Sequence, residues 1–396
     1  MAIQPSKLVI AFGMIAAIGL AGWIMDLPRT VVTTPGTNGR ETELNIYMNN
    51  PERVAAYIEN YGSGDHRGVF STLWGFGRVT FNSVLEEIFA FNLPGILHNV
   101  TEYMRTVEWA IRYHTIYFLI FTAIKLCIVA VGGGAICRIA ALQFALDEKP
   151  GITEALRFSI KRFVNFVTTP LVPIGMVAVA GACIALIGLT ANIPLGLGEL
   201  IVGILMLPAL IAGAAVAVVV IGTIAGFNLM FPAVAYDGAD GLDAVSRSFN
   251  YVYVRPWRMG FYTAAAVVYG AICYIFVRFF AFLLLWSTYQ GLRLGAWLDS
   301  ARGFSDKITA IWPEPTFSRL LAYSTETGSR SESIAAFLVY LSALIIVGLV
   351  VSFIISFYFS ANTVIYALMR NKVDNTGLDE IYTEPEATKS QPAEGA

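Results

Sequence analysis

Gly151-Ile-Thr-Glu-Ala-Leu-Arg-Phe-Ser159 is a charged, amphipathic run set between two strongly apolar segments. Ile152, Ala155, Leu156, Ile160 and Phe163 share one face at helical spacing, while Glu154, Arg157 and Lys161 share another. A basic amphipathic helix flanked by runs long enough to cross a bilayer is expected to lie along the membrane surface, as an elbow between spans. A relative follows at Gly241-Leu-Asp-Ala-Val-Ser-Arg-Ser248, with Leu242, Val245, Phe249 and Val252 on its apolar face. A shorter third copy opens Gly377-Leu-Asp-Glu-Ile381.

The composition agrees with spans on either side of the elbows. Hydrophobic residues make up 56% of the 396, charged residues only 14%, and mean hydropathy is +0.65. A soluble domain carries about 25% charged residues. The shortfall is concentrated in windows of 18 or more residues that read as membrane helices. They run over Leu8–Met25, Tyr113–Ile136, Val172–Leu189, Leu200–Leu229, Phe261–Leu285 and from Ile334 through Met369. The expected fold is therefore all-α: a polytopic membrane helix bundle of about six spans with cytoplasmic amphipathic elbow helices.

The expected organisation follows from these windows. Residues 1–26 are a first transmembrane helix or signal anchor, with a cleavable signal peptide as the rival reading because Gly19, Ala21 and Gly22 lie near its end. Residues 27–110 form an extracytoplasmic polar and amphipathic region, too short for a large core of its own. In it, Thr33–Gly39 is a turn cluster, and Asn50-Pro-Glu52 launches a helix from Arg53 to Asn60. An apolar stripe from Val69 to Phe89 marks one or two amphipathic helices, and Asn92-Leu-Pro-Gly95 breaks the pattern. Residues 111–382 hold the remaining five spans, with an extracytoplasmic insertion at 286–332 ending in a capping box, Ser329-x-x-Glu332. Residues 383–396 read as a disordered cytoplasmic tail.

Glu154 and Asp243 are 89 positions apart, Asp243 and Asp379 are 136 apart, and the difference matches the 47 residues of the insertion. The spacing predicts parallel two-span repeats, with the last hairpin interrupted. Charge predicts the orientation. Lys7, Arg138, Lys149, Arg157, Lys161, Arg162, Arg247, Arg255, Arg258, Arg370 and Lys372 all fall on one side of six spans, which is the cytoplasmic side.

The residues that could carry chemistry are few. Lys125 sits near the middle of the second span, where an ionisable group is costly and a candidate site by default. Arg157, Lys161, Arg247 and Arg258 could collect anionic lipid headgroups, although topology alone accounts for basic elbows. Arg278 in the fifth span reads as snorkelling, with Glu199 as a candidate partner. Gly132-Gly-Gly134 lacks the strand and the Lys-Ser/Thr of a phosphate loop and reads as close helix packing, extended by Gly175, Gly181, Gly213 and Gly226. Cys127, Cys137, Cys183 and Cys273 read as buried free thiols, and His66, His98 and His114 show no ligand spacing. No motif calls for a metal, a cofactor or a catalytic residue, and a net charge of −2 argues against nucleic acid.

The run Asp237 to Ser248, in which a span overruns into Gly-Leu-Asp-Ala-Val-Ser-Arg-Ser, resembles uncharacterised multi-pass membrane proteins of bacteria. It is similar also to the membrane domain attached to some glycerophosphodiester phosphodiesterases. The resemblance covers about residues 138 to 379 and implies a bacterial inner-membrane protein. No segment matches the phosphodiesterase's catalytic domain, so that activity does not carry over. The expected function is non-catalytic: a scaffold or accessory subunit in the lipid bilayer that binds another membrane protein or an anionic lipid. The alternative is a transporter or permease component for a small or lipidic solute. Transport needs a polar path, for which Lys125, Tyr269, Ser352 and Ser356 are the candidates.

Overall fold

The computed structural model describes residues 3–36, 39–90, 92–194, 197–300, 307–321 and 330–383. Ser329, the 383–396 tail beyond Thr383 and part of the 286–332 insertion lie outside the described residues. In chain order the elements are α1 (Pro5–Met25), β1 (Val31–Gly36), β2 (Gly39–Thr42), α2 (Glu43–Asn49), α3 (Arg53–Tyr61), β3 (Asp65–Arg67), α4 (Val69–Phe89), α5 (Leu93–Tyr113) and α6 (Thr115–Ala145). There follow α7 (Ile152–Lys161), α8 (Phe163–Leu189), α9 (Leu197–Ile204), α10 (Met206–Asp237), α11 (Gly241–Val254), α12 (Pro256–Ser300), α13 (Lys307–Ile311) and α14 (Arg330–Val373). The fold is an all-α bundle with one small sheet.

Among the described residues six helices are long and apolar enough to cross a membrane: α1, α6, α8, α10, α12 and α14. Only 6–22% of their apolar windows is buried inside the chain. So much exposed apolar surface has no place in water and is the mark of a membrane protein. The helices form two compact units, residues 14–128 and residues 1–13 with 129–396.

The unit of residues 14–128 has a small core of its own. Val31, Leu44, Tyr47, Val54, Val69, Trp109 and Ala110 are buried together. The sequence reading missed the antiparallel three-stranded sheet, ordered β2-β1-β3. Its strands are only six, four and three residues long, too short to show an alternating pattern. Arg53 does open a helix, and Val69–Phe89 is a single one. Asp26, just past α1, caps α4: its carboxylate accepts the backbone N–H of Phe70 (2.6 Å) and Ser71 (2.7 Å) and the Ser71 hydroxyl. A carboxylate at a helix N-terminus satisfies orphan donors and complements the dipole. Gly68 is required there, because a Cβ would collide with that carboxylate. Asp26→Ala is expected to cost this unit about 2 kcal/mol, the upper range for a lost cap. Limited proteolysis of residues 69–113 measures it, and an unchanged cleavage rate would contradict the capping role.

In the larger unit, three helices overrun their apolar windows and stop at a residue with left-handed backbone: Asp147 (φ 55°) after α6, Gly238 (φ 64°) after α10 and Asn375 (φ 55°) after α14. A left-handed residue is how helices commonly end. Its recurrence just before each elbow supports the two-span repeat. Two elbows, α7 and α11, are helices, but each is rotated from the expected face. The buried residues of α7 are Ala155, Phe158 and Ser159, whereas Ile160 is 61% exposed. On α11, Ala244, Val245, Ser248, Tyr251 and Val252 are buried and Leu242 is 68% exposed. Serines are the reason. Ser159 donates to Ala130 O (3.0 Å) on α6 and lies where a Gly134 Cβ would be, while Ser248 sits against Gly226.

The third elbow is not helical. Several expected boundaries also move. α8 starts at Phe163, ahead of the expected Val172, and carries Pro170 and Pro173 inside it. The fourth span starts at Met206 rather than Leu200, after a break at Leu205, and Pro208 lies in its first turn. α12 continues through the start of the expected insertion to Ser300. Gly133 and Gly134 do serve close approach, to Phe359 and to Ser159 and Phe166, but Gly175, Gly181 and Gly213 face open space. Cys137 is buried as expected; Cys127 and Cys183 are exposed.

Arg278 does not snorkel, and Glu199 is not its partner. It is 7% exposed and donates to Phe317 O (3.0 Å), Ser318 O (3.0 Å) and the Tyr274 hydroxyl (2.8 Å), with its guanidinium 5.3 Å from the Phe317 ring centre. It clamps the segment around 317–318 to α12. Arg278→Ala is expected to cost about 3 kcal/mol, since it removes charge-assisted bonds and strands two carbonyls. Faster proteolysis within 307–321 is the readout; wild-type resistance would refute the clamp.

Candidate functional site

Among the described residues of the larger unit, a concentrated polar arrangement is built on Asp237, the last residue of α10. Gly238 ends that helix and brings the following chain under the Tyr382 ring, where any Cβ would clash. The Asp237 side chain is 7% exposed. Its Oδ1 pairs with Arg370 Nε at 3.0 Å, and its Oδ2 accepts from Arg247 at 3.3 Å and from the Tyr366 hydroxyl. One carboxylate thus joins α10, α11 and α14. Arg247 also binds Asp243 one turn back, at 2.9 Å. Burial disfavours the Arg247 charge, but the bond to Asp243 and the nearby acids outweigh it and raise its pKa.

Residues 378–382 close over this carboxylate as a strap. The Tyr382 N–H donates to Tyr236 O (2.9 Å), the Tyr236 hydroxyl to Leu378 O, and Arg370 to Glu380 O (2.6 Å). Arg162 donates to Gly238 O and stacks at 4.6 Å on the Tyr382 ring. These partners take up the backbone groups of the third elbow, which is irregular over Gly377-Leu-Asp-Glu-Ile381, with a bend at Leu378 and Asp379. Tyr251 donates to Asp374 at 2.5 Å. Burial, then that bond, hold its phenol above the usual range, so it remains a neutral donor.

Beside the strap is an open cleft of about 410 Å³ lined by Asp237, Arg247, Arg370, Glu380, Ile381 and Tyr382. Oδ2 of Asp237 accepts both hydrogen bonds, while Oδ1 faces Arg370 as an ion pair without one. What the cleft presents is two guanidinium groups held side by side, an aromatic ring and the Glu380 carboxylate. That is a surface for recognising a polar or charged group.

Of the candidate ligand or lipid contacts, Lys125, Arg157, Lys161, Arg247 and Arg258, Arg247 alone joins this arrangement; Arg162 and Arg370, read as topology markers, join it too. Lys125 is exposed on α6, and Arg157, Lys161 and Arg258 are exposed on α7 and α12. Arg138, read as a topology marker, is 7% exposed, donates to Ala235 O (3.1 Å) and stacks at 4.5 Å over Phe158. Asp237 and Tyr366 were missed as site residues. The signal available was an acid at the very end of an apolar helix, since a charge at such a place is costly unless paired. Among the described residues no group of three His, Cys, Asp or Glu could hold a metal ion. No family model, no curated protein and no solved structure matches this chain.

Proposed function

We propose that this is a non-catalytic integral membrane protein, a scaffold or accessory subunit that receives a protein or lipid partner at the Asp237 cleft. The observation that carries the reading is the pair of arginines, Arg247 and Arg370, fixed on one buried carboxylate next to an open cleft. Fixing the side chains beforehand lowers the entropy cost of binding. The interior of the spans supports this reading over transport. Tyr269 and Lys125 are exposed, while Ser352 is fully buried and bonded to Gly348 O of its own helix at 2.7 Å. Ser356 is fully buried as well.

The placement is the inner membrane of a bacterium, with both termini cytoplasmic and the elbows and cleft on the cytoplasmic face. The exposed Arg157, Lys161 and Arg258 there are topology determinants that would also meet anionic headgroups. The likeness to the phosphodiesterase-attached membrane domain is one of pattern and brings no activity with it.

Mass spectrometry of protein extracted gently from native membranes tests the function. A protein or lipid that copurifies with the wild type and is lost from Arg247→Gln supports it. A bare wild-type protein, or a companion retained equally by the variant, overturns it. Labelling of cysteines placed at Ser63 and Lys372 tests the topology, which requires opposite-side accessibility.

A further inference from the structure

Helix α5 carries a second surface, independent of the cleft. Its inner side is buried at Thr106, Trp109 and Ala110. Its outer side repeats apolar residues at alternating intervals of four and three: Leu93, Leu97, Val100, Met104, Val107 and Ile111. Five of these are strongly exposed, at 63, 59, 49, 60 and 47% for Leu93, Leu97, Val100, Met104 and Ile111. Helix α4, which packs beside α5, has the same period outward: Trp74, Phe81 and Ile88, seven residues apart, are 54, 44 and 41% exposed. Neither helix is among the candidate spans.

The spacing narrows what can cover such a surface. A 3.5-residue repeat forms a narrow seam that another helix of the same period fills with knobs in holes. A helix meant to lie on lipid instead carries an excess of Lys and Arg beside its apolar face. Here the charges of the helix are balanced, Glu102 and Glu108 against Arg105 and Arg112, only Glu108 flanks the seam, and Glu102 pairs with Arg105 at 3.1 Å. At on the order of 100 Å² per side chain, the eight exposed residues present about 800 Å² of apolar surface, which is one partner's share of a standard stable interface. Two copies inserted in one membrane with the same orientation are related by an axis along the membrane normal. That relation lets one patch meet itself.

We propose that the outer seam of α5, flanked by α4, is a homodimer interface that seats the same seam of a second copy. The seam contributes by burying apolar side chains, so its strength depends on shape and spacing more than on salt.

Single cysteines placed in the full chain, in a background without the four native cysteines, test this in native membranes. Leu97→Cys, Val100→Cys and Met104→Cys are expected to cross-link to a species of twice the mass. His98→Cys and Thr101→Cys, off the seam, are expected to do so several-fold less. The same sites carrying a fluorophore are expected to resist quenching by brominated lipids. Quenching at the seam without cross-linking would mean that lipid covers it and would overturn the proposal. Cross-links only to a protein of a different mass, or equal yields on and off the seam, would overturn it as well.

Discussion

Asp237→Ala is expected to lower the folding stability of the larger unit by about 3–5 kcal/mol, the usual cost of removing one partner from a buried ion pair. Arg247 and the buried Tyr366 hydroxyl lose their acceptor, and Arg370, whose side chain is 12% exposed, loses the opposite charge of its ion pair. Because those groups belong to α14 and α11, the substitution loosens two helices from the end of α10. Asp237→Asn is expected to do less harm, since its amide oxygen can still accept from Tyr366. The double variant Asp237→Leu, Arg370→Leu should recover much of the loss, because replacing both members of a buried pair with apolar groups is often nearly neutral. Thermal unfolding in detergent, followed by the loss of the monodisperse peak, gives all three values. A single Ala variant as stable as the wild type would remove Asp237 from its place as organiser of the site.

The spans were legible because length and apolarity alone decide whether a helix can cross a bilayer, and six windows meet both conditions. The elbows were legible in position but not in rotation. Helical periodicity marks apolar residues, so it selected Ile160 and Leu242, which are exposed, and passed over Ser159 and Ser248, which are fully buried. A serine that bonds a neighbouring helix's carbonyl, as Ser159 does to Ala130, leaves no hydrophobic trace. The site was harder still. Asp237, Arg247 and Arg370 come from three helices, and only the fold brings them onto one carboxylate. Basic residues also serve topology, so Arg138 and Arg162 were indistinguishable by sequence from the exposed Arg157 and Arg258, although the first two hold carbonyls of the α10 end. The core of residues 14–128 escaped detection because its strands are short and its polar centre is a glutamate.

That glutamate, Glu43, supports the second large expectation: Glu43→Ala should destabilise the unit of residues 14–128 by about 3–5 kcal/mol, on the scale of leaving two buried donors unsatisfied. Glu43 opens α2, where its charge complements the helix N-terminus, and its side chain is 1% exposed. Oε1 accepts from the Trp109 indole at 3.1 Å and faces His114 Nε2 at 3.3 Å, and Oε2 accepts the Val32 N–H at 3.4 Å. One carboxylate therefore ties the middle strand β1 to α5 and to the residue separating α5 from α6. Alanine leaves the Trp109 and Val32 donors buried without acceptors and adds a void beside a fully buried indole. Glu43→Gln keeps an oxygen for one donor but sets its amide N–H₂ against the other, so its cost should be intermediate. A red-shifted Trp109 emission, isolated by replacing the other tryptophans with phenylalanine, and faster proteolysis of residues 27–113 are the expected readouts. An alanine variant with wild-type emission and protection would show that the buried carboxylate is dispensable and that the apolar cluster around Leu44 and Trp109 holds this unit by itself.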